Sequence, residues 1–130
     1  MASNDTLSNA LSHILNCEKV GKQECIIKPS SNLIKNVLEI MKQHNYVEKT
    51  EYIENNKGGI IKLTMTGSIN KCGTIKPRFS VTKNEIEKYE KRFLPAKNFG
   101  IMIISTQKGL TTHYEAIEKK LGGKLIAYVY

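Results

Sequence analysis

Ser105-Thr106-Gln107-Lys108-Gly109 is the stretch of this sequence best equipped to hold a ligand. Its hydroxyls and amide donate and accept hydrogen bonds, its lysine is positive, and no acid interrupts it. Followed by a helix N-terminus, such a loop can cradle an anion. It is not a P-loop, and no dinucleotide-binding glycine fingerprint occurs in the chain. No acid stands close by for Mg²⁺, and no acid pair has the spacing of a general acid and base. Cys17, Cys25 and Cys72 form no C-x-x-C pair, and their odd number does not suggest a disulfide framework. They read as core residues. A thiolate nucleophile at Cys72, beside Lys71, or at Cys17 is the enzymatic alternative. His13, His44 and His113 are scattered without metal-ligand spacing and are expected at the surface or at helix ends. The residues imply no cofactor and no metal. On residue types alone, Gly109 serves an ordinary turn as well as a ligand loop, and the turn is the simpler reading.

Charge shifts that balance. The 130-residue chain carries a net +8, distributed unevenly. Residues 1–64 hold eight lysines against seven acids, whereas residues 65–130 hold twelve Lys and Arg against five acids. A basic excess confined to one half suggests a face for polyanions. Lys71, Lys76 and Arg78 belong to that half, as do Lys108 and Lys124. Ser, Thr and Gln side chains beside such a face suit RNA base edges and the 2′-hydroxyl. No apolar run approaches the ~20 residues of a membrane span. Met1 to Asp5 lacks the basic start of a signal peptide, so a cytoplasmic protein without a membrane partner is expected.

The elements that must position the loop follow from hydrophobic periodicity. Leu7, Ala10, Leu11, Ile14 and Leu15 predict a helix from Asp5 to about Lys19, capped by Asn4 or Asp5 and stopped by Gly21. Glu24 to Lys28 reads as a strand ended by Pro29. Ser30 or Ser31 caps a second helix to about His44, with Ile34, Val37, Leu38 and Met41 inward and Asn45 able to turn left-handed after it. Tyr46 to Glu54 and Ile60 to Met65 read as strands joined by a hairpin at 55–59, with Ile61, Leu63 and Met65 on one buried face. Residues 1–66 thus form an α-β-α-β-β two-layer lobe.

Beyond Gly67 the texture changes. Ser68 to Val81 reads as extended chain bent at Gly73 and Pro77. Thr82 to Glu85 is a capping-box pattern for a helix to about Phe93, with Ile86, Tyr89 and Phe93 inward. Gly100 to Ser105 reads as a strand buried on both faces. After the loop, Thr112 to Glu115 is a second capping-box pattern. Its helix should run to about Leu121, with Tyr114, Ile117 and Leu121 on one side and Gly122 closing it. Lys124 to Tyr130 is a final strand. Residues 67–130 are therefore a second lobe, mainly β with short helices, and the chain as a whole is α/β (α+β).

Four stretches carry a resemblance. They are Asn70-Lys71-Cys72-Gly73 with Ile75-Lys76-Pro77-Arg78-Phe79, then Arg92-Phe93-Leu94-Pro95-Ala96, then Ser105 to Leu110, then Gly122 to Tyr130. In this order the chain, from about Asp5 to Tyr130, resembles the small-subunit ribosomal protein S-eight family in its archaeal and eukaryotic cytosolic form. The resemblance implies a two-lobe RNA-binding protein of the small ribosomal subunit. Such a protein holds an irregular helix of the central-domain rRNA and helps that domain assemble. It implies that Ser105 and Thr106 hydrogen-bond bases or sugar in the minor groove, with Gln107 where many members have serine. Gly109 and Gly122-Gly123 would let backbone approach the RNA, and Lys108 and Lys124 would neutralise phosphate. Pro29-Ser30-Ser31 and Lys35 match a second, N-terminal contact, although bacterial members often have lysine at Asn32. Many members have methionine at Thr111. Implied partners are rRNA and neighbouring small-subunit proteins rather than further copies of this chain. An RNA-binding regulator outside the ribosome is the nearest alternative.

Overall fold

A computed structural model describes residues 6–27, 32–53, 59–96 and 99–130. The chain forms two compact units, Met1–Asn70 and Lys71–Tyr130.

The first unit runs through helix α1 (Thr6–Lys19), strand β1 (Glu24–Ile27), helix α2 (Asn32–Gln43) and strands β2 (Val47–Ile53) and β3 (Ile60–Met65). This is the expected order. The strands are antiparallel, with β3 central between β1 and β2. Ile61, Leu63 and Met65 are buried and alternate with half-buried Lys62 and Thr64, as the pleat requires. α1 packs on β1 and α2 on β2. Leu7, Leu11 and Ile14 from α1 and Ile34, Leu38 and Met41 from α2 are all buried. Both helices close on a left-handed residue. Gly21, at φ 77°, lets the Lys22 N–H reach the Cys17 carbonyl at 2.9 Å. Asn45, at φ 67°, lets the Tyr46 N–H reach Met41 at 2.9 Å. Glycine and asparagine tolerate that conformation better than other residues. The expected caps Asn4, Asp5, Ser30 and Ser31, and hairpin residues 55–58, lie outside the described residues.

The second unit contains β4 (Cys72–Thr74), β5 (Ser80–Val81), α3 (Ile86–Phe93), β6 (Ile101–Thr106), β7 (Gly109–Thr112), α4 (His113–Glu118) and β8 (Gly123–Val129). Its antiparallel sheet has the order β4-β8-β6-β7, with β5 also beside β8. Ile75, Val81, Ile86, Leu94, Met102, Ile104, Ala116 and Leu125 form one buried cluster. The extended segment expected at Ser68 to Val81 resolves into β4 and β5, two short strands on the same neighbour.

The two capping patterns form only in part. The Glu85 carboxylate accepts from the Thr82 N–H and the Thr82 hydroxyl, each at 3.0 Å. Glu85, not Thr82, stands at the N-cap of α3, and its side chain makes no cap bond to the helix. These bonds, the backbone N–H first, hold the Glu85 carboxyl below the usual glutamate range. A carboxyl with a lowered folded pKa stabilises fully above its unfolded value. That stabilisation is lost as pH falls through the lowered one. An NMR titration of the Glu85 carboxyl is expected to show the low value. In Thr82→Ala it should move only part of the way back, since the N–H remains. An unchanged titration would remove the hydroxyl from the account.

At α4, the Thr112 hydroxyl accepts from the Glu115 N–H at 3.3 Å, as expected. The Glu115 carboxylate instead takes the Thr111 hydroxyl. The helix also stops early. Lys120, at φ 56°, closes it by directing the Leu121 N–H to Ala116 at 2.8 Å, so Gly122 is not the closing residue. Its buried residues are His113 and Ala116, while Ile117 is 37% exposed. In a helix of under two turns the anchored first residue, not a periodic stripe, decides which side faces the sheet.

Candidate nucleic-acid interface

Ser105 to Gly109 does not lead from a strand into a helix. It is the tip of a β-hairpin formed by β6 and β7, with Thr106 opposite Gly109 and Ser105 opposite Leu110. The missed strand had a signal: β-branched Thr111 and Thr112 follow a short glycine-containing loop after an apolar strand. The tip is built by its own polar groups. The Thr106 hydroxyl donates to the Gly109 carbonyl at 2.9 Å and accepts from the Lys108 N–H at 3.1 Å. Gly109 has φ 106°, and a Cβ there would meet nothing within 4 Å. Glycine is thus required at 109 by backbone conformation, and the space beside it is open. Gln107 and Lys108 project exposed from this turn, while Ser105 and Thr106 are half-buried.

β8 places Lys124 next to the hairpin. Lys124 pairs with Ser105 on one side and with Ser80 on the other. Directly paired residues share a sheet face, so Ser80, Lys124 and Ser105 form one polar row across three strands. Ser80 is a member that the sequence analysis did not single out. Gly122 and Gly123 make that row possible. A Cβ on Gly122 would stand 2.6 Å from the Val81 carbonyl oxygen, and one on Gly123 would overlap the Ser105 carbonyl oxygen. The close approach that these glycines serve here is strand to strand.

The hairpin is anchored beneath. His113 stands at a helix end, one of the two places expected of it, but at 0% exposure it is buried and not at the surface. Its Nδ1 accepts from the Met102 N–H at 3.0 Å, which leaves the ring proton on Nε2, 3.2 Å from Glu90 Oε2. Glu90 is also buried. One imidazole therefore links α4, β6 and α3. Its environment is tertiary, which is why sequence spacing did not reveal it.

The surrounding charge is one-sided. All five acids of the second unit lie at Glu85, on α3 or on α4, and none lies on a strand or on the hairpin tip. Three of the five are already engaged, Glu85 with Thr82, Glu90 with His113 and Glu115 with Thr111. Lys71, Lys76, Arg78, Lys108 and Lys124 are all exposed. Among the described residues, Lys71, Arg78, Lys108 and Lys124 make no ion pair. Solvated, unpaired cations can each take a phosphate.

The family model for ribosomal protein S8 matches residues 5–130, nearly the whole chain. The chain belongs to the ribosomal protein S8 family. It is accordingly a ribosomal protein of the small subunit that binds rRNA. No helix among the described residues is long and apolar enough to cross a membrane.

The expected S8-family site residues do not all converge. Ser105, Thr106, Gln107, Lys108, Gly109 and Lys124 lie together at the hairpin end of the sheet, buttressed by Gly122 and Gly123. Arg78 stands two residues before Ser80 on the chain that reaches this end, and Lys76 lies between β4 and β5. Lys71 exchanges backbone bonds with Tyr130, at the opposite end of β8. At ~3.3 Å per residue that is about 20 Å from Lys124. Ser30 and Ser31 lie outside the described residues. Lys35, on α2, holds its Nζ 5.5 Å from the centre of the Tyr52 ring. Cys72 is buried at 4% exposure opposite Val129, and Cys17 is equally buried, so neither sits in the accessible setting of a nucleophilic thiolate.

Proposed function

We propose that the second unit grips central-domain small-subunit rRNA with the tip of the β6–β7 hairpin and helps that RNA domain assemble. The observation that carries this reading is the polar row Ser80, Lys124, Ser105 beside an exposed, acid-free turn bearing Gln107 and Lys108. A protruding turn of this size fits a shallow RNA minor groove. There, Ser105 and Gln107 reach base edges and 2′-hydroxyls, and the open side of Gly109 admits the sugar backbone. The Thr106 hydroxyl mainly shapes the turn and offers its remaining acceptor capacity to the RNA. Lys108 and Lys124 neutralise phosphates, with Arg78 and Lys76 extending the track. Lys71 marks the far end of the same sheet. Lys35, with Ser30 and Ser31, forms a separate N-terminal contact. The protein works in the cytoplasmic ribosome, beside rRNA and neighbouring subunit proteins rather than as a homo-oligomer, and its role there is structural.

Point variants separate shape reading from charge. Ser105→Ala is expected to weaken binding to a central-domain rRNA fragment by about 1 kcal/mol, roughly fivefold, and to leave binding to a random duplex unchanged. Lys124→Ala should weaken both and reduce the salt slope by about 0.7–0.9. Fluorescence anisotropy across a salt series reads both effects. Equal loss on the two RNAs after Ser105→Ala would take specificity away from the hairpin.

A further inference from the structure

The first unit holds a cluster that RNA binding does not use. His13 and Cys17 stand four residues apart on α1, hence on one helical face. Cys25 lies on β1, the strand against which α1 packs. His13 Nε2 is 3.9 Å from Cys17 Sγ, and a ligand atom of each of His13, Cys17 and Cys25 lies within 4.8 Å of the others. Cys17 and Cys25 are buried, His13 is exposed, and no cysteine of the chain is in a disulfide. Sequence spacing hid this group because its third member comes from a different element.

One imidazole nitrogen and two sulfurs are a borderline-soft donor set without a carboxylate, the kind that favours zinc over magnesium or calcium. Zn–S bonds of ~2.3 Å and Zn–N bonds of ~2.0–2.1 Å place tetrahedral ligand atoms about 3.5–3.8 Å apart. The cluster stands within about 1 Å of that spacing, a gap that small side-chain rotations close. All three donors sit on a helix or a strand, so their backbones are already fixed. A surface depression lined by Asn9, Ala10, His13, Ile26 and Ile27 opens beside the imidazole, so the cluster is approached from the His13 side. Core packing accounts for two buried thiols. The exposed imidazole already turns a ring nitrogen to one of them as a hydrogen-bond partner.

We propose that His13, Cys17 and Cys25 bind one zinc ion, pinning α1 to β1. Each thiol gives its proton to solvent as its Zn–S bond forms, and His13 binds as neutral imidazole. Two thiolates then balance the two charges of the ion, so the buried assembly is neutral, which burial favours.

The test uses the full-length, reduced protein, titrated anaerobically with Co²⁺ as a spectroscopic probe and then with Zn²⁺. The expected result is one equivalent of Co²⁺ with a thiolate-to-cobalt charge-transfer band, displaced by Zn²⁺, together with a higher thermal midpoint in zinc. His13→Ala, which removes one weak hydrogen bond at an exposed side chain, should move the metal-free midpoint little and weaken metal binding by at least about tenfold. Cys25→Ser should abolish the charge-transfer band, and Cys72→Ser should retain it. Absence of the band in the natural sequence overturns the proposal. So does equal binding by His13→Ala, which is informative even if the cysteine variants fold poorly, or loss of the band in Cys72→Ser.

Discussion

Gly123→Ala is expected to lower stability by about 3 kcal/mol, the upper end for overpacking, although it adds one methyl group to a residue that is not fully buried. The reason is what that methyl meets. It overlaps the Ser105 carbonyl oxygen and comes within 2.9 Å of Ile104 Cγ2. The backbone oxygen cannot rotate aside, so β8 must separate from β6. That movement breaks the Ser105–Lys124 pairing, and binding to cognate RNA should fall with stability. Gly109→Ala is the control. It meets only the cost of a left-handed backbone, about 1–2 kcal/mol, because the space beside it is open. Urea denaturation of both variants distinguishes the two causes. Equal losses would mean that the glycine at 123 is not there for strand packing.

His113→Ala is expected to cost about 3–5 kcal/mol, the range for truncating a large buried ring. Three losses combine. The Met102 N–H loses its acceptor, the Glu90 carboxylate loses its facing donor, and a cavity opens under β6. Glu90→Gln should be milder, about 1 kcal/mol, because an amide oxygen still accepts the Nε2 proton. The double variant His113→Ala with Glu90→Ala should lose less than the sum of the single changes, since the second removal relieves a stranded carboxylate. Additive losses would show that the two groups do not act as a pair. The link reaches the RNA site through β6, where Met102 is three residues before Ser105.

The first unit was largely legible in sequence because its signals are local. Helical stripes at Leu7 to Leu15 and Ile34 to Met41, strand alternation at Ile61 to Met65, and the stops Gly21 and Asn45 each act within a few residues. The second unit depends more on partners distant in sequence. β4 and β5 are two or three residues long and exist only because β8 offers them an edge. β7 was hidden behind a capping pattern that begins at its last residue, Thr112. Gly122 looked like a helix stop, but Lys120 had already closed α4, and the glycines at 122 and 123 answer to Val81 and Ser105. The loop residues themselves were visible from type and charge. Their presentation on a hairpin, and the inclusion of Ser80 beside Lys124, required the sheet.

The most direct measurement compares binding of the full-length protein to a central-domain small-subunit rRNA fragment and to a length-matched random duplex across a salt series. A hairpin that reads RNA shape predicts much tighter cognate binding that survives moderate salt, since hydrogen bonds to bases and sugar persist when phosphate contacts are screened. Equal and steeply salt-sensitive binding to both RNAs would contradict the account and reduce the hairpin to an ordinary turn on a basic surface.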